Sequence, residues 1–418
     1  MTAPSSPRSL DALNALVAGG QTGFGAFIAV HLTAQAWTQG DIGQALAVGT
    51  VVAMASQVPA GLLVDRMRSK RLAVALGAAA IAGSALLFAA TAARLPVLGA
   101  EVLHGFASCM VGPAIAAISL QRAGHARLGE RLGRNARYAS LGSAAAALAL
   151  GGIGTWLPGG AVFWATAAIM VAGLGMALAM PDGPAVARAG TPPPVRPRAL
   201  LDLRLLAPRF LNPRLPDRRL VAFAACIAGF HLANAAMLPL VASEVTRAAG
   251  SHANLVIAAC IVVPQVIVAL ASPLVGRGAE AWGRRPVLLL GFLALPLRGA
   301  LLALGGNLGP AWVVAVQALD GVSAAAMGVL MPLVAADLTR KTGGFSAALG
   351  VLGLAAGAGA TLSTGLAGLA ADRFGPAVAL LALAGAGIVA TLGLFAVPET
   401  RAASARDYTA VTPEEAPP

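Results

Sequence analysis

Long apolar segments that recur along the whole chain constrain its fold more than any other feature. Of the 418 residues, 58% are hydrophobic and only 11% are charged, whereas a water-soluble domain carries about 25% charged residues. A helix needs about 20 consecutive apolar residues to cross the hydrocarbon core of a bilayer. Segments of that kind lie at 12–33, 42–64, 71–92, 95–120, 137–157, 160–180, 219–242, 253–275, 286–305, 311–336, 345–370 and 376–397. The sequence therefore predicts an all-α polytopic membrane protein with about twelve transmembrane helices embedded in a lipid bilayer.

The lysine and arginine residues predict which way these helices cross the membrane. Most of the 29 Lys and Arg residues lie near 66–71, 122–137, 188–219 and 277–285, and such residues favour the cytoplasmic side of a membrane. We therefore expect a multi-pass protein of the cell's inner (plasma) membrane with both termini in the cytoplasm. This bias also accounts for the net charge of +12, so the sequence does not predict a nucleic-acid partner.

A connection rich in proline and arginine separates the apolar segments into two sets of six. We predict an N-terminal six-helix bundle at 1–181, a cytoplasmic linker at 182–218, a C-terminal six-helix bundle at 219–397 and a cytoplasmic tail at 398–418. The two sets resemble each other, because Gly61 and Asp65 after the second helix correspond to Gly276 and Glu280 after the eighth. Two parallel repeats with a site at their interface are a known transporter architecture.

The segment from Gly61 to Arg71, which reads GLLVDRMRSKR, is a recognisable signature. It resembles the G-x-L-x-D-R-x-G-R-K/R pattern of the major facilitator superfamily, with departures at Arg68 and Ser69. A second copy follows the eighth helix, and the P-E-T sequence at 398–400 resembles the segment after the last helix of that family. The resemblance implies two six-helix pseudo-repeats and secondary transport of a small molecule.

Both copies of the signature predict a gate on the cytoplasmic side. Asp65 lies at the C-terminal end of a helix, where the helix dipole disfavours a carboxylate, so it needs a partner. That partner is either the N-terminus of another helix or nearby arginines, and Gly61 would let a helix approach closely. The alternative is that the arginines serve only the positive-inside rule. The predicted gating residues are Gly61, Asp65, Arg66, Arg71, Gly276, Glu280, Gly283, Arg284 and Arg285.

Six ionisable residues inside the apolar segments predict the position of the site. A charge there costs roughly 2.5–3.5 kcal/mol on insertion scales, so the presence of each of these residues calls for a functional or structural explanation. The six are His31, Glu101, His104, His231, Arg298 and Asp320. All except Arg298 fall on the first, fourth, seventh and tenth helices, which line the central cavity in the family that the chain resembles. The predicted substrate and proton cavity comprises Glu101, His104, Asp320, His231, Asn234 and Gln21.

Four of the six ionisable residues have structural alternatives. His231, which we expect to line the cavity, could instead have a structural role. Asp320 could simply pair with Arg298 on the neighbouring helix. Glu101 could form a static hydrogen bond with His104, which is three residues further on and therefore on the same helical face. His31 lies near the outer end of its helix, where an interfacial histidine is the better interpretation.

The chemistry of the predicted cavity favours a neutral or cationic substrate. Many members of the resembled family carry an arginine at the position of Glu101, so the cavity of this chain is more acidic. A carboxyl buried in an apolar environment retains a proton more readily than one in water, which suits a proton carrier. The leading prediction is a monomeric exporter coupled to protons, with no cofactor and no metal site.

Three other functions stay open at this stage. An uptake symporter for a nutrient or siderophore-like compound would use the same cavity chemistry. Efflux of arsenite or a similar metalloid would use Cys109, Cys226 and Cys260. A polytopic membrane enzyme or sensor is disfavoured, because the sequence has neither an HExxH motif nor a P-loop.

Overall fold

The computed structural model describes residues 7–24, 26–37, 39–157, 160–181, 218–241, 253–305 and 309–401. Most of the predicted linker and the tail beyond residue 401 lie outside these residues. Within them the chain is helical and contains no β-strand. The helices are α1 (Pro7–Thr22), α2 (Ala26–Ala34), α3 (Gln39–Arg66), α4 (Lys70–Ala90), α5 (Arg94–Ala123), α6 (Leu128–Trp156), α7 (Ala161–Ala179), α8 (Arg218–Asn234), α9 (Ala253–Trp282), α10 (Arg284–Leu304), α11 (Pro310–Leu338), α12 (Phe345–Phe374) and α13 (Pro376–Gly393).

The helices confirm the predicted membrane fold. Among the described residues, ten helices are long and apolar enough to cross a membrane. The remaining two predicted spans are α6 and the pair formed by α1 and α2. Large apolar side chains such as Val51, Leu148 and Val389 are 65%, 71% and 70% exposed, and this surface is suited to contact with lipid rather than water.

The first helix is interrupted, although the sequence predicted one continuous helix at 12–33. α1 ends at Thr22 and α2 begins at Ala26. At the break, the N–H groups of Gly23 and Phe24 donate to the carbonyls of Gly20 and Gln21, so the chain tightens into a turn. Glycine tolerates such turns at low cost.

The seventh helix is interrupted at a comparable depth. α8 ends at Asn234, residues 235–236 form a turn, and helical structure resumes to residue 241. Interrupted helices at corresponding positions of two repeats point to a binding site in transporters. The breaks therefore mark the region in which the site should be sought.

The α6 helix starts earlier than the sequence predicted, at Leu128 rather than near residue 137. The sequence places the basic cluster at 122–137 on the cytoplasmic side, before the predicted span at 137–157. Helical structure continues through residues 130–137 of this cluster, because Glu130 and Arg131 are held by contacts with other elements.

The buried apolar residues form two large clusters that follow the two halves. The first contains residues between Leu10 and Met180. The second consists mainly of residues from α8 to α13, joined by four residues of α5 and α6: Ala116, Ala117, Leu128 and Leu132. Each half therefore has its own core, and the end of α5 with the start of α6 packs into the core of the other half.

Candidate functional site

Asp65 is held by the N-terminus of a helix from the other half. The backbone N–H groups of Ser346 and Ala347, in the first turn of α12, donate to Asp65 Oδ1 and Oδ2 at 2.9 Å each. A methyl group added at Gly61 would collide with the carbonyl of Ser346, so the glycine permits the contact. Of the two predicted kinds of partner for Asp65, the structure shows the helix N-terminus.

Glu280 makes the equivalent contact in the second half. Its Oε1 accepts the backbone N–H of Glu130, in the first turn of α6, at 2.9 Å. A side chain at Gly276 would collide with the carbonyl of Gly129, so the backbones of α9 and α6 are in close contact here. Two similar carboxylate–helix contacts therefore join the two halves at one end of the bundle. We call this the Asp65 end.

Two basic residues of the first signature donate to carbonyl groups at the ends of helices in their own half. Lys70 Nζ donates to the carbonyls of Val64 and Met67, at 2.5 and 2.9 Å, and so terminates α3. Arg71 donates to the carbonyl of Met180 after α7 at 2.7 Å. The side chain of Arg66 makes no hydrogen bond within the described part of the chain.

The second signature is tied to the C-terminal segment by Glu399. The side chain of Glu399 accepts the backbone N–H groups of Arg284 and Arg285, both at 2.9 Å. Burial acts to raise the pKa of Glu399, but backbone N–H groups donating to it outweigh burial and hold that pKa below its usual value. Gly283 has φ +101° and so makes the sharp turn into α10, a conformation that favours glycine.

The arginines of the second signature contact their own half. Arg284 Nε donates to Asp337 Oδ2 on α11 at 2.9 Å. Arg285 donates to the carbonyl of Phe395 at 3.1 Å, and its guanidinium lies 4.9 Å from the centre of the Phe395 ring. These contacts fix the turn between α9 and α10, which follows the last turn of α9 that carries Glu280.

A polar network at the start of α1 was missed by the sequence analysis. Asp11, which is 3% exposed, accepts hydrogen bonds from Arg131 and Arg134 of α6. Asn135 extends the network by bonding Arg131 and Ser119. Asp11 precedes the predicted membrane span, so the energetic cost of a charge inside the membrane did not single it out.

The two halves are in close contact near the Asp65 end. Gly350 of α12 lies against the backbone of Gln57, and Gly357 lies against Met54 of α3. Further along α12, the Thr361 hydroxyl lies 3.8 Å from the sulfur of Met54. The structure is therefore closed at the Asp65 end.

Glu101 is buried on α5 against the backbone of α3. It is 4% exposed, and its Oε1 has no hydrogen-bond partner in the described structure. A methyl group at Gly49 would collide with Glu101 Oε2, and one at Gly105 would lie 2.7 Å from the carbonyl oxygen of Gly49. The two glycines thus let α3 and α5 pack closely around the carboxyl group.

His104 does not bond Glu101 but stacks on Phe24, at the break between α1 and α2. The ring centroids are 3.8 Å apart, and the planes are inclined by 9°. The static hydrogen bond considered between Glu101 and His104 is absent from the described contacts. Gln21, one turn before Phe24, is half-buried, and its backbone carbonyl accepts the N–H of Phe24 at 3.3 Å.

His31, which the sequence predicted to be an interfacial histidine, packs inside the first half. Its side chain is buried, at 7% exposure. The ring packs edge-on against Phe163 with centroids 5.1 Å apart. His31 therefore belongs to the core of the first half.

In the second half, Arg298 binds Asp320 directly, which is the pairing that the sequence analysis left open. Arg298 Nη1 donates to Asp320 Oδ1 and to Asn234 Oδ1, and Nη2 donates to Gln317 Oε1, each at 2.6 Å. We call these four residues the Arg298 cluster. It joins α8, α10 and α11 beside the break in the seventh helix. His231, one turn before Asn234, is half-buried and contacts the Phe230 ring.

The structure gives no support for thiol coordination of a metalloid. Cys109, Cys226 and Cys260 lie on three different helices, and all are free and buried. Cys109 donates to the carbonyls of Ala53 and Gly105 at 3.1 and 3.2 Å. Among the described residues, no group of three His, Cys, Asp or Glu side chains could hold a metal ion.

The fold and these sites together define a polytopic membrane transporter rather than an enzyme. The chain belongs to the Major Facilitator Superfamily, whose family description matches residues 12–263. It is 35% identical, over 404 residues, to two uncharacterized MFS-type transporters from two strains of Mycobacterium tuberculosis. The alignment covers 95% of this chain and 94% of each relative.

Two solved structures with a similar fold are also transporters, and the first is described as a major facilitator superfamily protein. The proton:xylose symporter XylE, bound to 6-bromo-6-deoxy-D-glucose, has a TM-score of 0.70 at 13% identity and covers 95% of this chain and 97% of its own. The E. coli fucose:proton symporter FucP has a TM-score of 0.71 at 15% identity, with 94% and 98% covered. At such low identity the similarity shows the fold alone.

Proposed function

We propose that this chain is a proton-coupled secondary transporter that exports a small neutral or cationic compound by alternating access. Both termini and the Asp65 end would lie on the cytoplasmic side, as the distribution of Lys and Arg predicts. The substrate would bind between the halves, near the two interrupted helices. Glu101 would be the group that takes up and releases the coupling proton.

The observation that carries this proposal is the isolation of Glu101. The side chain is 4% exposed, and Oε1 lacks any partner in the described structure. A charged carboxylate without a partner is costly inside a membrane. Such a group is suited to hold a proton in this conformation and to release it when water reaches it in another.

The contacts at the Asp65 end support the alternating-access part of the proposal. Asp65 and Glu280 each join one half to the other through backbone N–H groups. Contacts of this kind can break and reform without unfolding either half, because each half has its own apolar core. Rocking of the halves would then expose the site to the two sides of the membrane in turn.

Proton movement in everted membrane vesicles tests the proposal. Respiration acidifies the vesicle interior, and a fluorescent pH probe follows the gradient while drugs, arsenite and metabolites are added one at a time. We expect one neutral or cationic compound to dissipate the gradient with the wild-type protein. Glu101→Gln should abolish the response, because an amide cannot carry the proton.

Asp372→Asn is the matched control, since it also replaces a carboxylate by its amide, at an exposed position outside the predicted cavity. It should respond as the wild type does. If the Glu101→Gln variant responds equally well, Glu101 does not carry the proton. If no compound dissipates the gradient while whole cells accumulate one faster with the protein, the direction is uptake and export is wrong.

A further inference from the structure

The Arg298 cluster places its positive charge deep inside the second half and its negative charge nearer the surface. The side chain of Arg298 is 1% exposed, whereas that of Asp320 is 21% exposed, and their charged atoms lie 2.6 Å apart. Asp320 is therefore the accessible member of the pair, but its charge is already balanced.

Stability alone does not explain why this pair is present. Arg298 Nε and Gln317 Nε2 are both buried donors without an acceptor in the described structure, and leaving buried donors unpaired is costly. Buried ion pairs can often be replaced by apolar residues without loss of stability. The pair is better explained by its effect on the charge that the partly exposed Asp320 presents.

We propose that Arg298 is a specificity-determining residue that masks the charge of Asp320, so that the compound carried is a neutral, hydrogen-bonding molecule rather than an organic cation. This inference rests on the proposed function and narrows its substrate class. With the mask in place, the second half offers polar but electrically balanced groups at Asn234 and Asp320. Glu101, in the first half, remains as the carboxyl that is free to exchange a proton.

Removal of the mask should produce a site for cations. With Arg298→Gln, Asp320 keeps its carboxyl group but loses the charge that balances it. A carboxylate in that position either attracts a positively charged ligand or takes up a proton. Arg298→Lys retains the charge and is the matched control, and the Arg298→Gln/Asp320→Asn double variant removes both charges.

Carbodiimide labelling measures the mask without knowledge of the substrate. Dicyclohexylcarbodiimide reacts with a protonated carboxylic acid by adding the O–H across one C=N bond, and the adduct rearranges to a stable N-acylurea that mass spectrometry locates. In wild-type membranes we expect labelling at Glu101 and not at Asp320. In Arg298→Gln, labelling at Asp320 should rise by about tenfold or more, because the carboxylate has lost its counter-charge. Arg298→Lys should behave as the wild type does.

The vesicle assay then measures specificity with tetramethylammonium and tetraphenylphosphonium as the cations. The wild type should respond to neither, Arg298→Gln should respond to at least one, and the double variant should lose that response. Equal labelling of Asp320 and Glu101 in the wild type would overturn the proposal that Arg298 masks Asp320. This test uses only the wild-type protein, so it does not depend on whether a variant folds. A wild-type response to these cations that Asp320→Asn removes would overturn that proposal too. Failure of the proposed function would appear separately, as a pH gradient that no compound dissipates.

Discussion

Replacement of Asp65 by asparagine should weaken closure of the Asp65 end. In the structure, the two carboxylate oxygens of Asp65 accept N–H groups of Ser346 and Ala347 at 2.9 Å each. An asparagine side chain has one acceptor oxygen and carries no charge. Asp65→Asn therefore retains at most one neutral hydrogen bond between the halves at this position.

The size of the effect follows from these two bonds. Hydrogen bonds to charged groups contribute about 1.5–3 kcal/mol each, and neutral ones about 1 kcal/mol. The interaction of a carboxylate with a helix N-terminus adds about 0.3–1 kcal/mol. Allowing for the bond that asparagine retains, the closed state should lose at least about 2 kcal/mol. A loss of that size corresponds to an increase of roughly 30-fold in the ratio of open to closed molecules at this end, and a larger loss gives a larger increase.

Electron–electron double resonance between two spin labels measures this ratio. The labels would be placed at the exposed residues Ala126 and Thr342, one on each half at the Asp65 end. The background would lack Cys109, Cys226 and Cys260, which are free and buried. We expect the Asp65→Asn variant to show a larger share of long distances than the parent protein.

Asp372→Asn is the matched control, because Asp372 is an exposed carboxylate at the other end of α12. It should leave the distance distribution unchanged. A distribution in Asp65→Asn that is indistinguishable from that of the parent would refute the reasoning. The contact between Asp65 and α12 would then contribute nothing measurable to closure.

Three further predictions concern the same end of the molecule. Gly350→Val should hold the halves apart and slow transport at least tenfold, because the added atoms would meet the backbone of Gln57; the spin-label distances report the separation. The pKa of His125 is lowered by burial and by Arg340, so protonation opposes closure. Acidification through about pH 6.5 should therefore raise the fraction of molecules that are open at the Asp65 end. The rise should be smaller in His125→Asn. Glu399→Gln should lower the free energy of unfolding by about 1 kcal/mol, measured by thermal unfolding in detergent, because the N-terminus of α10 keeps only one of its two acceptor oxygens and loses the negative charge.

The fold could be predicted from the sequence because a bilayer leaves few structures available. Apolar segments of the right length must be helices when their backbone groups have no water to bond. The break in the first helix could not be predicted in the same way, since Gly23 and Phe24 are as apolar as their neighbours. That break depends on contacts with other helices, such as the stacking of Phe24 on His104.

The contacts of Asp65 were more predictable than those of the Arg298 cluster for a physical reason. A carboxylate at a helix C-terminus is unfavourable unless it has a partner, so the position of Asp65 alone predicts that it needs one. The pairing of Asp320 with Arg298 joins two helices and was one of several possibilities. The network of Asp11 with Arg131 and Arg134 spans more than 100 residues, and no local pattern indicates which distant residues will meet.

The most direct test of the account is to separate proton coupling from transport in Glu101→Gln. Purified protein in proteoliposomes would be assayed with the compound that the vesicle screen identifies, first by exchange at equal concentrations and then by transport driven by an imposed pH gradient. The account predicts that the wild type performs both, whereas Glu101→Gln exchanges the compound but does not move it against a concentration gradient. Uphill, pH-driven transport by Glu101→Gln at the wild-type rate would contradict the assignment of Glu101 as the coupling group.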